Sequence, residues 1–142
     1  MKLSTRGRYG TRLMLELTFH HKEGPVLLKD ISLSQNISLK YLGQIIIPLK
    51  IAGLVKSVRG ARGGYLLAKH PDEIKLSDII KALEGEICIV ECIEDPDLCD
   101  KNNRCATQKI WKELNQKITD TLNSYTLSDL VNIQKTLDQA NR

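Results

Sequence analysis

The sequence predicts a mainly α-helical chain with one small β-hairpin and a long helix late in the chain. Three observations lead there. Apolar residues recur at helical spacing in four stretches. Residues 28–45, "LKDISLSQNISLKYLGQI", have the pattern of helix, tight turn, helix. Residues 55–69, "VKSVRGARGGYLLAK", set two short apolar-containing arms around glycines and arginines. With 142 residues, normal apolar content and only six aromatics, the chain suits one domain with a mostly aliphatic core.

The first helical stripe runs from about Tyr9 to His21, with Tyr9, Leu13, Met14 and Leu17 on one face. In the helix-turn-helix, Ile31 and Leu33 supply the first helix with apolar contacts. Asn36 suits the left-handed residue that ends that helix. Ser38 suits the N-cap of the next, on which Leu39, Leu42 and Ile46 form the inward stripe. That spacing leaves Lys40, Tyr41 and Gln44 outward. Pro48 cannot donate to the Gln44 carbonyl, so a kink or a fresh helical start is expected there. The hairpin follows, with Arg59 and Arg62 among Gly60, Gly63 and Gly64 at its tip. Helix-turn-helix then hairpin is the order of a winged helix. Beyond it, "LSDIIKALEG" turns Leu76, Ile79, Ile80 and Leu83 inward and stops at Gly85. A longer stripe holds Trp111, Leu114, Ile118, Leu122 and Tyr125. The last helix begins where Thr126 and Asp129 have capping-box spacing, and carries Leu127, Leu130, Val131 and Leu137. The division expected is residues 1–84 as a winged helix-turn-helix DNA-binding region, 85–106 as a cysteine loop, and 107–142 as a dimerisation helix with a C-terminal helix.

The net charge of +4 hides a division: residues 1–70 carry 12 Lys+Arg against 3 Asp+Glu, and residues 71–142 carry 9 against 14. A half at +9 beside a half at −5 points to a polyanionic partner for the first, with duplex nucleic acid foremost. The front of the second helix of a helix-turn-helix enters the major groove. There Gln44 can pair with adenine in a bidentate way, while Ser38 and Lys40 can hold phosphates. An arginine on a glycine-rich wing can enter a narrow A/T-rich minor groove. Solvated charge on ordinary turns is the plain alternative for each element alone. Their order within the basic half favours double-stranded DNA. No Gly-Lys-Ser/Thr follows the glycines, so the hairpin is not a P-loop. No catalytic triad or C-x-x-C is legible, so an enzyme is not expected. The N-terminus lacks a signal-peptide apolar core, and "IIIPLKIAGLV" is too short to span a bilayer. A cytoplasmic protein without membrane association is expected.

All four cysteines, Cys88, Cys92, Cys99 and Cys105, fall within "CIVECIEDPDLCDKNNRC". In a reducing compartment such a cluster more often binds metal or does redox chemistry than forms structural disulfides. The spacing C-x3-C-x6-C-x5-C lacks the paired knuckles of structural zinc and suits a bulky iron–sulfur cluster better. A zinc site and a set of inert or loosely redox-active thiols remain open. Glu84, Glu86, Glu91, Glu94, Asp95, Asp97 and Asp100 crowd the same stretch, and no Lys or Arg interrupts residues 82–100. Negative neighbours disfavour free thiolates, so the loop is expected to order with metal and loosen without it.

"MKLSTRGRYG" at the start, "GLVKSVRGARGGYLLAK" in the wing, and the cysteine loop leading into "IWKELNQKI" resemble the Rrf2 family of bacterial winged-helix regulators. The match runs over essentially the whole chain, and the loop is similar to that of the iron–sulfur-dependent members. The resemblance implies a homodimeric transcription regulator, a repressor, whose long helix crosses its partner. It would sense iron–sulfur, oxygen or nitric oxide status through a 2Fe-2S or 4Fe-4S cluster. Carried over by position, the DNA-binding residues are Ser38, Lys40, Tyr41, Gln44 and Arg59, and the ligands are Cys92, Cys99 and Cys105. The sequence departs from its relatives at three points. Gln108 stands where iron–sulfur relatives have a histidine ligand, and Arg8 where others have a ligating aspartate, which leaves Cys88 or Gln108 for the fourth ligand. Gly43 replaces a recognition-helix glutamate, and the gap from Cys92 to Cys99 is one residue longer. The alternative is a cluster-free repressor controlled by a partner protein or by thiol oxidation.

Overall fold

A computed structural model of the chain describes residues 2–142. The elements run α1 (Thr5–Phe19), α2 (Leu28–Gln35), α3 (Leu39–Ile51), β1 (Val55–Val58), β2 (Gly64–Leu67), α4 (Leu76–Glu84), α5 (Glu91–Glu94), α6 (Ala106–Ser124) and α7 (Leu127–Ala140). Single 3₁₀ turns lie at Pro71–Glu73 and Pro96–Leu98. This is the mainly helical winged-helix architecture that the sequence predicts. α1 is the hub, packing on α2, α3, α4, α7 and β2.

α1 starts four residues before the apolar pattern does. Ser4 caps it, its hydroxyl accepting the Gly7 N–H at 3.0 Å. Glu84 at the end of α4 accepts the Ser4 N–H at 3.0 Å, which places a carboxylate at the positive end of the α1 dipole. α3 runs as one helix through Pro48, without a fresh helical start there. Proline removes one hydrogen bond, and buried Ile45, Ile46 and Leu49 anchor the helix on both sides of it. Leu39 faces outward, although its spacing with Leu42 predicts burial, and Leu33 on α2 is 74% exposed.

β1 and β2 pair antiparallel with Val55 opposite Leu67 and Val58 opposite Gly64. Val26 adds a third, single-residue rung, exchanging two 2.8 Å hydrogen bonds with Tyr65. Gly64 makes that rung possible: its φ is +148°, and a Cβ there would press on the Val26 carbonyl. A second bridge, Lys75 to Thr126, brings the start of α7 back to the start of α4. α7 then lies on α1 and contributes Leu127 to the core.

The core is a single aliphatic cluster of side chains between Leu13 and Leu83, joined by Leu127. α6 adds no apolar residue to it. Among the described residues no helix is long and apolar enough to cross a membrane.

Candidate functional site

The helix-turn-helix forms through local hydrogen bonds. Asn36 adopts φ 53° and ψ 49°, the left-handed conformation that its short amide tolerates, and ends α2. The Ser32 hydroxyl donates to the Ile37 carbonyl at 2.6 Å across the turn. Ser38 caps α3, accepting the Tyr41 N–H at 3.0 Å, which leaves its own hydroxyl hydrogen free to donate outward. Ser38, Lys40 and Gln44 are exposed at the front of α3. Tyr41 is half-buried rather than outward, set edge-on to Tyr9 at 5.9 Å between ring centroids. The guanidinium groups of Arg8 and Arg12 lie 5.7 and 5.5 Å from the Tyr9 ring. Arg12 also donates to the Gln35 side chain at 3.0 Å, and Gln35 donates to Glu16 at 2.7 Å, tying α1 to the turn.

The wing tip is built for close backbone approach. The Gly63 N–H donates to the Gly60 carbonyl at 3.0 Å, and a Cβ at Gly63 would overlap the Val58 carbonyl oxygen. Arg59 and Arg62 are exposed on this tight tip. Among the described residues no lysine or arginine of residues 1–70 takes part in an ion pair. The positive charge of this half is thus uncompensated and available to phosphates.

His20 bridges Glu23 at 2.6 Å and Glu16 at 3.4 Å. The Glu23 carboxylate, and to a lesser degree Glu16, holds its pKa above the ordinary histidine value against partial burial.

The cysteine loop is fastened to one face of α6 by two side-chain amides. Asn115 donates to the Ile87 carbonyl at 3.0 Å and accepts the Ile89 N–H at 3.0 Å. Gln108, only 4% exposed, donates to the Cys92 carbonyl at 3.0 Å and to Asn102 Oδ1 at 3.2 Å. It also accepts the Asn103 N–H at 3.2 Å. The spacing of seven residues, about two helical turns, puts both amides on the same side of α6. Sequence reasoning predicts neither contact, because a polar residue in an amphipathic helix reads as solvent-facing. In the fold the loop expected to order with metal lies on α6 through these hydrogen bonds.

All four thiols are free. The Cys88 thiol donates to the Val90 carbonyl at 3.0 Å and faces a cavity of about 510 Å³ shared with Leu3, Ile80, Ile118 and Leu122. Cys105 lies 3.0 Å from the Thr107 hydroxyl and faces a separate cavity of about 470 Å³ with Arg104, Lys109 and Lys112. The Thr107 hydroxyl, then the Gln108 backbone N–H at the start of α6, hold the Cys105 thiol below its usual range. Cys99 is exposed and Cys92 half-buried. Among the described residues no three His, Cys, Asp or Glu side chains come within reach of one metal ion. The donor set fits an iron–sulfur cluster in kind, since three free thiols share one accessible loop. Gathering them requires Cys92, Cys99 and Cys105 to move together.

Sequence comparison places this geometry among known proteins. The profile of the Rrf2 family, described as iron-dependent transcriptional regulators, matches residues 3–133. The chain belongs to the Rrf2 family. It is 44% identical over its whole length to the HTH-type transcriptional regulator IscR of Pectobacterium carotovorum, covering 86% of that protein. It is 46% identical over 92% of its length to the HTH-type transcriptional regulator CymR of Bacillus subtilis, covering 89% of that protein. The solved structure of B. subtilis CymR, titled the global cysteine regulator, superposes with a TM-score of 0.81 at 44% identity, over 94% of this chain and 98% of that one. The Rrf2 fold and a role in transcription regulation by DNA binding are therefore common ground. Identity is similar toward IscR and CymR, so the chemistry that controls binding has to be argued from this chain's own residues.

Proposed function

We propose that this Rrf2 protein is a homodimeric repressor whose affinity for operator DNA is set by an iron–sulfur cluster on Cys92, Cys99 and Cys105. The observation that carries the reading is the attachment of the thiol-bearing loop to α6 through Asn115 and Gln108. A change in the loop reaches the long helix directly. The α6 face is itself open: Ile110, Trp111 and Tyr125 are all exposed, as an interface between two copies would need. α6 packs in turn on α4, which packs on α1 and α3. The loop thus connects to the recognition helix through two packed contacts.

On DNA, Lys40 and the Ser38 hydroxyl hold phosphates at the front of α3, Gln44 reads a base edge, and Arg59 reaches the minor groove from the wing. Tyr41 supports the recognition helix from beneath through Tyr9. When bound, the cluster supplies a thiolate-held inorganic centre that responds to oxidants and iron supply. Cys88 remains the candidate for the fourth thiolate. The second reading, a thiol-controlled regulator without a cluster, is favoured by the scattered placement of the four free cysteines.

Protein purified without oxygen should be brown and contain iron and sulfide. Its affinity for operator duplex at fixed salt should differ from that of the metal-free form by about 5–150-fold, the usual span of allosteric coupling. Equal affinities sink the cluster switch. A colourless protein that binds DNA in a thiol-dependent way supports the second reading. Arg59→Ala should weaken binding about tenfold and Gln44→Ala should relax base preference, within the ordinary cost of about 1–3 kcal/mol per base contact.

A further inference from the structure

Gln108 occupies the place where a metal ligand is expected, yet its amide is committed elsewhere. Both N–H groups donate, to the Cys92 carbonyl and to Asn102, and its oxygen accepts from Asn103. It is also the single buried residue of α6. These contacts join three separate pieces: α5, the turn at residues 102–103, and the first turns of α6. No cation interrupts residues 82–100, and carboxylate repulsion favours opening of this stretch. Asn115 alone holds only Ile87 and Ile89. Among the described residues, the hydrogen bonds that tie the segment from Cys92 to Asn103 onto α6 all run through Gln108.

We propose that Gln108 is a latch, a positioning residue that closes the cysteine loop onto α6 in the metal-free protein, and that it is not the fourth ligand. The Gln108 carboxamide spans the loop as a metal centre would, but with neutral hydrogen bonds. Metal-free protein therefore has a closed loop of its own, and release of Cys92 from Gln108 is the step that frees this thiol's segment to move toward Cys99 and Cys105. Neighbouring Asn115 stays engaged and acts as the hinge. The latch rests on the cluster reading only in taking Cys92, Cys99 and Cys105 as the responsive thiols. Its exchange and alkylation test uses metal-free protein and stands apart from that reading, which only the iron-loading comparison shares.

The test is amide hydrogen exchange and Cys92 alkylation in the full-length metal-free chain, comparing wild type with Gln108→Ala and Gln108→Glu. Glutamate keeps the size and can still accept from Asn103 but lacks both donors, and wild-type exchange at Leu42 in the core shows that each variant is folded. Both variants should speed exchange over residues 92–103 and alkylation of Cys92 about tenfold, as expected for losing one or two net hydrogen bonds. Exchange at Ile89, held by Asn115, should not change. Anaerobic loading should bring as much iron to Gln108→Ala as to wild type. Unchanged exchange and alkylation overturn the proposal. Loss of iron from Gln108→Ala overturns it too, by making the amide a ligand.

Discussion

The winged helix is held by a dry aliphatic core, with Leu13, Met14, Ile31, Leu42 and Leu49 all at 0% exposure. α6, the longest helix, buries one residue, and that residue is an amide. The two regions differ in the size and nature of what fixes them. Each core side chain contributes roughly 1.5–3 kcal/mol through burial, whereas each net hydrogen bond of the loop contributes about 0.5–1.5 kcal/mol. A DNA-reading surface gains from rigidity, and the residues proposed to meet the duplex, Ser38, Lys40 and Gln44, would need to keep their register on it. A sensing segment needs contacts weak enough for a ligand or a modified thiol to outcompete. The distribution of burial matches that division of labour.

Truncation tests the contrast most severely. Leu13→Ala should cost about 2–5 kcal/mol in urea unfolding, the usual range for a filled core site. Trp111→Ala, at a residue 39% exposed, should cost the isolated chain under about 1 kcal/mol. Its effect should appear instead as a loss of concentration-dependent stability, read by sedimentation and by melting at several protein concentrations. Equal costs for the two in dilute protein would erase the distinction between the regions.

Next in size is the wing. Gly64→Ala places a side chain at φ +148° against the Val26 carbonyl and should cost about 1–3 kcal/mol. DNA affinity should fall with it, while exchange over the cysteine loop stays at the wild-type rate. A faster loop in that variant would show that wing and loop are not separate mechanical units. Asn115→Ala should have a smaller effect, about 1–2 kcal/mol from two lost hydrogen bonds. It should accelerate exchange at Ile89 without moving the protection of Leu42 in the recognition helix.

The smallest effect expected is a pH dependence from His20. Its folded-state pKa is raised by Glu23 and Glu16. Protonation therefore stabilises the fold fully below about pH 6.5, and the contribution is lost as pH rises through the folded-state value. The Tm gap between wild type and His20→Gln should be wider at pH 6 than at pH 9. An equal gap at both values would show that the pairing adds nothing measurable at this half-exposed site.

Much of the fold was legible because the features concerned are local. Asn36 and Ser38 mark the turn through their own side chains, Thr126 and Asp129 cap α7 within four residues, and Gly85 stops α4. The apolar period identified α4 and α6, and glycines with arginines identified the wing. Short-range hydrogen bonding and steric permission act between neighbours in sequence, so composition and spacing record them. The basic half was legible for the same reason, since charge is a sum over residues.

Tertiary structure decided the rest. The Ser4 cap that starts α1 is joined by Glu84, eighty residues away. α3 passes through Pro48 because side chains on both sides of it are buried, a collective effect that the proline's missing hydrogen bond does not reveal. Tyr41 turned inward because Tyr9 was there to receive it. Gln108 stands in the sequence as a fourth-ligand candidate and Asn115 carries no local signal, whereas in the fold their amides meet Cys92, Asn103, Ile87 and Ile89. The sequence by itself determined the helices outside the cysteine loop, where the wing lies and which half is positive, since each follows from neighbouring residues. Only the folded chain decided which amides bind the cysteine loop and which apolar face stays open, because both depend on partners brought together from distant parts of the sequence.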